Sequence, residues 1–239
     1  MFKATVLPEI IENSIIAYCF NASLSVPDID PSIGIDDTIP LENVGENGFF
    51  PTYTKIAATE QLFANLASKA KLDANVMKSV LQVVYNGYRN GDNTRIQEIR
   101  DAFAKSTRDD LKTISDAELY AATQKAIWYY TDNTEKQATN PKDLAVDAIE
   151  KEATMDEKAW YVYRFLLGDT NVAGSPLNGL TLNNYDENMI LDLYRPTRVS
   201  TTGSEYPNLL STNFVKPVSN EYKSSTVTIK KLQRIQTAN

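Results

Sequence analysis

Hydrophobic periodicity changes twice along this chain, and that order limits the available folds more than any single motif. In residues 1–52 short β-prone runs alternate with turn residues: Ile15-Ile16-Ala17-Tyr18-Cys19-Phe20 is apolar and aromatic, and Pro27, Pro31, Gly34, Pro40, Gly45 and Gly48 punctuate the stretch after it. From about Thr54 to Gly168 the spacing turns helical. Ile56, Leu62, Phe63 and Leu66, then Val76, Val80, Val83 and Val84, fall where they build amphipathic faces. After Gly168 β-prone runs return, as in Asn188-Met189-Ile190-Leu191-Asp192-Leu193-Tyr194 and Ser225-Thr226-Val227-Thr228-Ile229-Lys230. Strands from both ends must then pair around a helical block. The chain reads as an α+β protein, a β-sandwich or barrel formed from N- and C-terminal segments with an inserted α-helical subdomain. The expected division is one domain over 1–239, with a β subdomain at 1–52 plus 169–239 and a helical insert at 53–168.

Several helix starts are signed locally. Asn140-Pro141-Lys142-Asp143 sets a cap before a first-turn proline, and both Thr154-Met155-Asp156-Glu157 and Ser115-Asp116-Ala117-Glu118 have the form of a capping box. The Ser115 box opens the segment Leu119–Tyr130, expected to be a helix that ends near Asp132-Asn133.

Composition narrows function by exclusion. There is no histidine, which removes the usual general base and the commonest metal ligand together. Ser-His and Cys-His catalysis are therefore closed to the chain, and no metal or cofactor is expected. A single cysteine forms neither an internal disulfide nor a Cys-rich zinc site. With 24 basic and 31 acidic residues the net charge is −7, and no Lys/Arg block could track a phosphate backbone, so nucleic acid is not an expected partner. No apolar run approaches the roughly 20 residues of a membrane-spanning helix. The start, Met1 to Pro8, lacks a signal peptide's apolar centre, so the sequence reads as a mature segment. Asp28, Asp30 and Asp36-Asp37 have the look of a calcium loop, but the EF-hand glycine and final glutamate are out of register, and a solvated acidic loop is the reading adopted.

Two residues stand out for chemistry. In a strand, Cys19 shares its face with Ala17 and Asn21 while Tyr18 and Phe20 point the other way. Taken alone, a free cysteine there reads as a small buried hydrophobe. Gln124 lies mid-helix, one turn after Tyr120 and one turn before Trp128. Its amide is then at least partly buried and needs partners, since an unpaired buried amide costs about 1–3 kcal/mol. Taken alone, it reads as a glutamine on the wet rim of an aromatic face.

Together, Tyr18-Cys19-Phe20 and Thr123-Gln124-Lys125-Ala126-Ile127-Trp128 resemble the paired signature of the thioester domains of Gram-positive surface adhesins and pilus-tip proteins, a cysteine beside an aromatic and a later Thr-Gln-x-x-Ile-Trp-like helix. The β, α, β layout and the late Tyr206-Pro207-Asn208-Leu209-Leu210 are similar to that family as well. The resemblance implies an internal thioester between the Cys19 sulfur and the Gln124 side-chain carbonyl. It also implies covalent capture of a host cell-surface or matrix protein through an amine such as lysine, in a single turnover rather than catalysis. Tyr18, Tyr120, Thr123 and Trp128 are candidates to line the site. Display on the bacterial surface, cell-wall anchoring through a longer chain and further domains after this one are likewise implied. Thr226–Leu232 is similar to the lysine-bearing strand of immunoglobulin-like isopeptide domains, and reads either as the start of such a neighbour or as the last strand of this domain. The competing reading is a non-covalent protein- or glycan-binding module in which Cys19 is a core residue.

Overall fold

The computed structural model describes residues 2–6, 15–21, 24, 52–67, 76–89, 94–131, 155–197, 206–215 and 226–231. The acidic loop with Asp28, Asp30, Asp36 and Asp37 and the Asn140–Asp143 helix start lie outside these residues.

Helices and antiparallel strands share the chain in the order its periodicity implies. The strands are β1 (Phe2–Val6), β2 (Ile15–Cys19), β3 (Thr52–Ala57), β4 (Ile190–Pro196), β5 (Leu209–Val215) and β6 (Thr226–Lys231). They pair in the order β1-β2-β5-β4-β3-β6, and β1 also pairs with β6, which closes the sheet on itself. The Thr226–Lys231 segment is thus the last strand of this sheet, bonded to both β1 and β3. Between β3 and β4 run α1 (Glu60–Leu66), α2 (Val76–Asn86), α3 (Thr94–Ala104), α4 (Asp116–Thr131) and α5 (Glu157–Leu166).

The helical stretch begins later than the spacing from Thr54 suggests. Residues 52–57 form β3, paired along β4 from Tyr53↔Pro196 to Ala57↔Asp192. Tyr53-Thr54-Lys55-Ile56 is aromatic and β-branched, and its fit to a half-buried pleated surface prevails over the chance helical spacing of Ile56 with the later apolar residues. Lys55 reinforces the pairing with an ion pair to the buried carboxylate of Asp192 at 2.6 Å.

Helix termini follow local chemistry. At Ser115 the reciprocal box forms: the Glu118 amide donates to the Ser115 hydroxyl (3.2 Å) and the Ser115 amide to the Glu118 carboxylate (2.6 Å). At α5 the cap is Asp156 rather than Thr154, its side chain accepting from the Lys158 amide, because an aspartate immediately before the first helical residue serves that orphan donor directly. Gly168, at φ +87°, closes α5; its amide reaches the Phe165 carbonyl and that of Asp169 the Arg164 carbonyl, the paired bonds of a Schellman end.

The alternation of β2, β4 and β5 sorts the core into two. Tyr18, Phe20, Leu191, Leu193 and Leu210 join the buried faces of the helices, including Val76, Val80, Val83 and Val84 of α2 and Leu119 and Ile127 of α4. Ala17, Cys19, Tyr53, Tyr194 and Leu209 form a separate buried cluster on the opposite face. The helices cover the first face, and a closed sheet of six strands has no room for a helix within it, so the second cluster is the interior, reached from the helices by the Trp128 side chain. Cys19 points inward while its neighbours anchor the helices.

Candidate functional site

Helix α4 lies along β2 and is sewn to its backbone at three levels. The Tyr120 hydroxyl donates to the Ala17 carbonyl (3.0 Å), Gln124 engages Cys19, and the Thr131 hydroxyl donates to the Phe20 carbonyl (2.6 Å). These contacts recur where the helical repeat brings one face back over the strand, and the Tyr18 ring stacks on Tyr120 at 4.6 Å between centroids to hold the spacing.

The middle level brings together the two residues singled out by sequence. The Cys19 amide donates to Gln124 Oε1 at 2.8 Å, and Gln124 Nε2 donates to the Cys19 carbonyl at 2.8 Å, across a separation of 105 residues. Gln124 thus fills a ladder position as a strand would. The described register of β1 on β2 reaches only Phe2↔Ala17, and the carboxamide occupies the pairing position beyond it. With its oxygen and nitrogen both held by one residue's backbone, the carboxamide carbon is fixed beside Cys19. Both side chains are buried, Cys19 4% and Gln124 6% exposed.

Beyond Cys19 the strand end is pinned by the late segment. The Phe20 amide donates to the Asn208 carbonyl (2.7 Å), and Asn208 Nδ2 donates to Asn21 Oδ1 (3.0 Å). Burial pushes the Cys19 thiol up to about 12, so it is protonated at neutral pH.

The four candidate lining residues divide. Trp128 packs against the interior cluster that contains Cys19. Tyr18, Tyr120 and Thr123 lie on the helix-facing side: Tyr18 donates to the Tyr88 carbonyl (2.6 Å), and the Thr123 hydroxyl accepts from the Tyr88 amide (3.0 Å) while donating to the Leu119 carbonyl (2.8 Å). They lie on the face of β2 opposite the sulfur and do not share its cluster. Of the residues at the sulfur's cluster, Tyr206 belongs to the late Tyr206–Leu210 segment already marked by its likeness to the family, whereas Tyr53 and Tyr194 were not singled out and only their aromatic character on β-prone runs could have marked them. Among the described residues no group of three or more Cys, Asp or Glu side chains stands together as a metal site.

An antiparallel closed sheet thus carries a helix whose glutamine is hydrogen-bonded on both sides to the backbone of a buried cysteine. The chain belongs to the thioester domain family, whose sequence profile matches residues 16–172, more than half of the chain and both members of the pair. Among curated proteins it is similar to the pilus tip adhesin Cpa of Streptococcus pyogenes, with 29% identity over 119 residues, 49% of this chain but 13% of that protein. Among solved structures it is similar to the N-terminal thioester domain of a Clostridium perfringens surface protein, with 19% identity, 90% of this chain and 99% of that one covered, and a TM-score of 0.52. It is also similar to the N-terminal thioester domain of the fibronectin-binding protein SfbI of Streptococcus pyogenes, at 18% identity, 90% and 93% coverage and a TM-score of 0.52. These likenesses establish the fold. The relatives are surface proteins and adhesins, and the stretch matched in Cpa is a small part of that protein. No helix of the described residues is long and apolar enough to cross a membrane.

Proposed function

We propose that this chain is the capture domain of a bacterial surface adhesin, in which Cys19 and Gln124 form a thioester that a host-surface amine opens to give a permanent amide bond. The observation that supports it most is the reciprocal pairing of the Gln124 carboxamide with the backbone of the chain's one cysteine, buried on both sides.

Bond formation is balanced within the pair. The Cys19 sulfur attacks the Gln124 carbonyl carbon, the C–N bond breaks, and the thiol proton leaves with the amide nitrogen as ammonia. Such an attack is hopeless between free molecules, but well-oriented groups reach effective molarities on the order of 10⁵ M or more. The Cys19 amide, already on Oε1, is a fixed donor for the charge that develops on that oxygen. Burial then shields the product from water.

Capture reverses the roles. An amine, such as a lysine side chain, attacks the thioester carbon; the C–S bond breaks, its electrons go to sulfur, and the amine's proton ends on Cys19. A thiol ionising near 12 re-forms as S–H rather than remaining as a thiolate able to attack the new amide. Each domain acts once, in the manner of an adhesin whose lifetime on a surface is not limited by an off-rate.

We read residues 1–239 as one such domain, with β3 joined to the sheet-forming ends. Its partner is a host cell-surface or matrix protein, and it sits on the bacterial surface as part of a longer wall-anchored chain. Intact-protein mass spectrometry tests the reading: a mass short by one ammonia, converted by methylamine to an adduct, is expected. Cys19→Ala and Gln124→Ala each lose both features while keeping the fold. The full calculated mass with a thiol titratable from the outset refutes it and favours a non-covalent module.

A further inference from the structure

Inside the closed sheet, the Tyr53 hydroxyl has no part in the chemistry above. The Tyr53 side chain is fully buried, and its hydroxyl has no hydrogen-bond partner among the described residues. Leaving a buried hydroxyl unpaired costs about 1–3 kcal/mol, so a hydroxyl retained there calls for a reason. Trp128 Nε1, packed against the same cluster, likewise has no hydrogen-bond partner among the described residues. Both groups are donors in a cluster whose other members, Ala17, Cys19, Tyr194 and Leu209, include the one sulfur of the cluster.

The strand order places β3 across the closed sheet from β2, so Tyr53 approaches Cys19 through the interior rather than as a ladder neighbour. Burial, then the nearby Cys19 and Tyr206 groups, raise the Tyr53 phenol well above its usual range. It is therefore held as an O–H donor and is unavailable as a base. Thiol and thioester sulfur are weak acceptors and ask little of such a donor. A sulfur being expelled as a thiolate asks a great deal, because this cluster is buried and the Cys19 thiolate is disfavoured in it.

Resting on the thioester reading, we propose that the Tyr53 hydroxyl is the donor that stabilises the Cys19 sulfur as amine capture expels it. The amine forms its C–N bond to the Gln124 carbonyl carbon, the C–S electrons move to sulfur, and Tyr53 donates a hydrogen bond to that sulfur until the proton released by the amine arrives there. With no partner among the described residues to satisfy it beforehand, the hydroxyl is free to donate as the bond breaks.

Tyr53→Phe in the whole chain tests this, with mass spectrometry, methylamine kinetics and thermal melting on one preparation. The expected result keeps the missing ammonia, slows methylamine capture about 10- to 100-fold, as for loss of one hydrogen bond to a charged group, and leaves the melting temperature equal to or above wild type. A purely structural hydroxyl moves the melt and not the rate. Capture by Tyr53→Phe at the wild-type rate overturns the proposal while leaving the thioester reading intact. A folded Tyr53→Phe chain of full calculated mass also overturns it, because the hydroxyl then belongs to bond formation. Wild-type chain of full mass overturns both readings. If Tyr53→Phe does not fold, site-specific 3-fluorotyrosine at 53 decides: a more acidic hydroxyl of the same shape speeds capture, and an unchanged rate refutes the role.

Discussion

Replacing Gln124 by glutamate probes the geometry of the pair without relying on its chemistry. In a Cys19→Ala background no thioester can form, but the backbone N–H and C=O of residue 19 that hold the side chain at 2.8 Å remain. Glutamate keeps the oxygen facing the N–H and puts a second oxygen where Nε2 donated, so two acceptors face each other when the acid is ionised. The protonated acid restores the donor. Burial also disfavours the anion, so both effects raise the acid's pKa in the folded state. The sign is set by proton binding. The folded chain binds the proton more tightly than the unfolded one, whose glutamate ionises near 4.3, so the variant is most stable below about pH 4.3 and weakens as pH rises. The loss is about 1.4 kcal/mol per pH unit up to the raised pKa. For a chain of this size each kcal/mol shifts the melting temperature by about 2–4 °C, so Cys19→Ala/Gln124→Glu should fall about 3–6 °C per pH unit relative to Cys19→Ala. Differential scanning calorimetry of the two proteins from pH 5 to 8 measures the difference. A pH-independent gap between them would refute the reciprocal pairing.

Packing and burial set three further outcomes. A Cβ added at Gly87 would meet Thr123 Cγ2 at 2.5 Å, Thr123 Oγ1 at 2.7 Å and the Val83 carbonyl at 2.9 Å. Gly87→Ala should therefore cost about 1–3 kcal/mol in urea unfolding, with part recovered by adding Thr123→Ser, which removes the methyl group; no recovery would mean the backbone contact dominates. Thr131→Val deletes the hydroxyl that donates to the Phe20 carbonyl and should cost about 1–3 kcal/mol by the same assay; a neutral result would show that the end of α4 does not hold β2. In Gln124→Ala the Cys19 thiol, raised to about 12 by burial, should alkylate with iodoacetamide at a rate that climbs about tenfold per pH unit from 8 to 11. A plateau near the ordinary thiol value of about 8.5 would show that Cys19 is solvated.

What was legible in the sequence, and what was not, divides by the range of the interaction. Ser115 and Glu118 find each other across one helical turn, and Val76, Val80, Val83 and Val84 share a helical face, so both features are written locally and both form. Residues 52–57 misled because Ile56, Leu62, Phe63 and Leu66 fit a helical spacing; the strand is decided by bonds to β4 and β6, which no window around Thr54 contains. Cys19 and Gln124 were legible only as a pair, through likeness to a family, because each alone fits a bland core role. The atoms that hold Gln124 are the N–H and C=O of Cys19, and every residue but proline offers both, so no residue type could have announced them. Tyr53 is the extreme case. Its position against Cys19 depends on closure of the whole sheet, β3 being reached only through β6 and β4, and the lack of a hydrogen-bond partner for its hydroxyl among the described residues has no sequence signature at all.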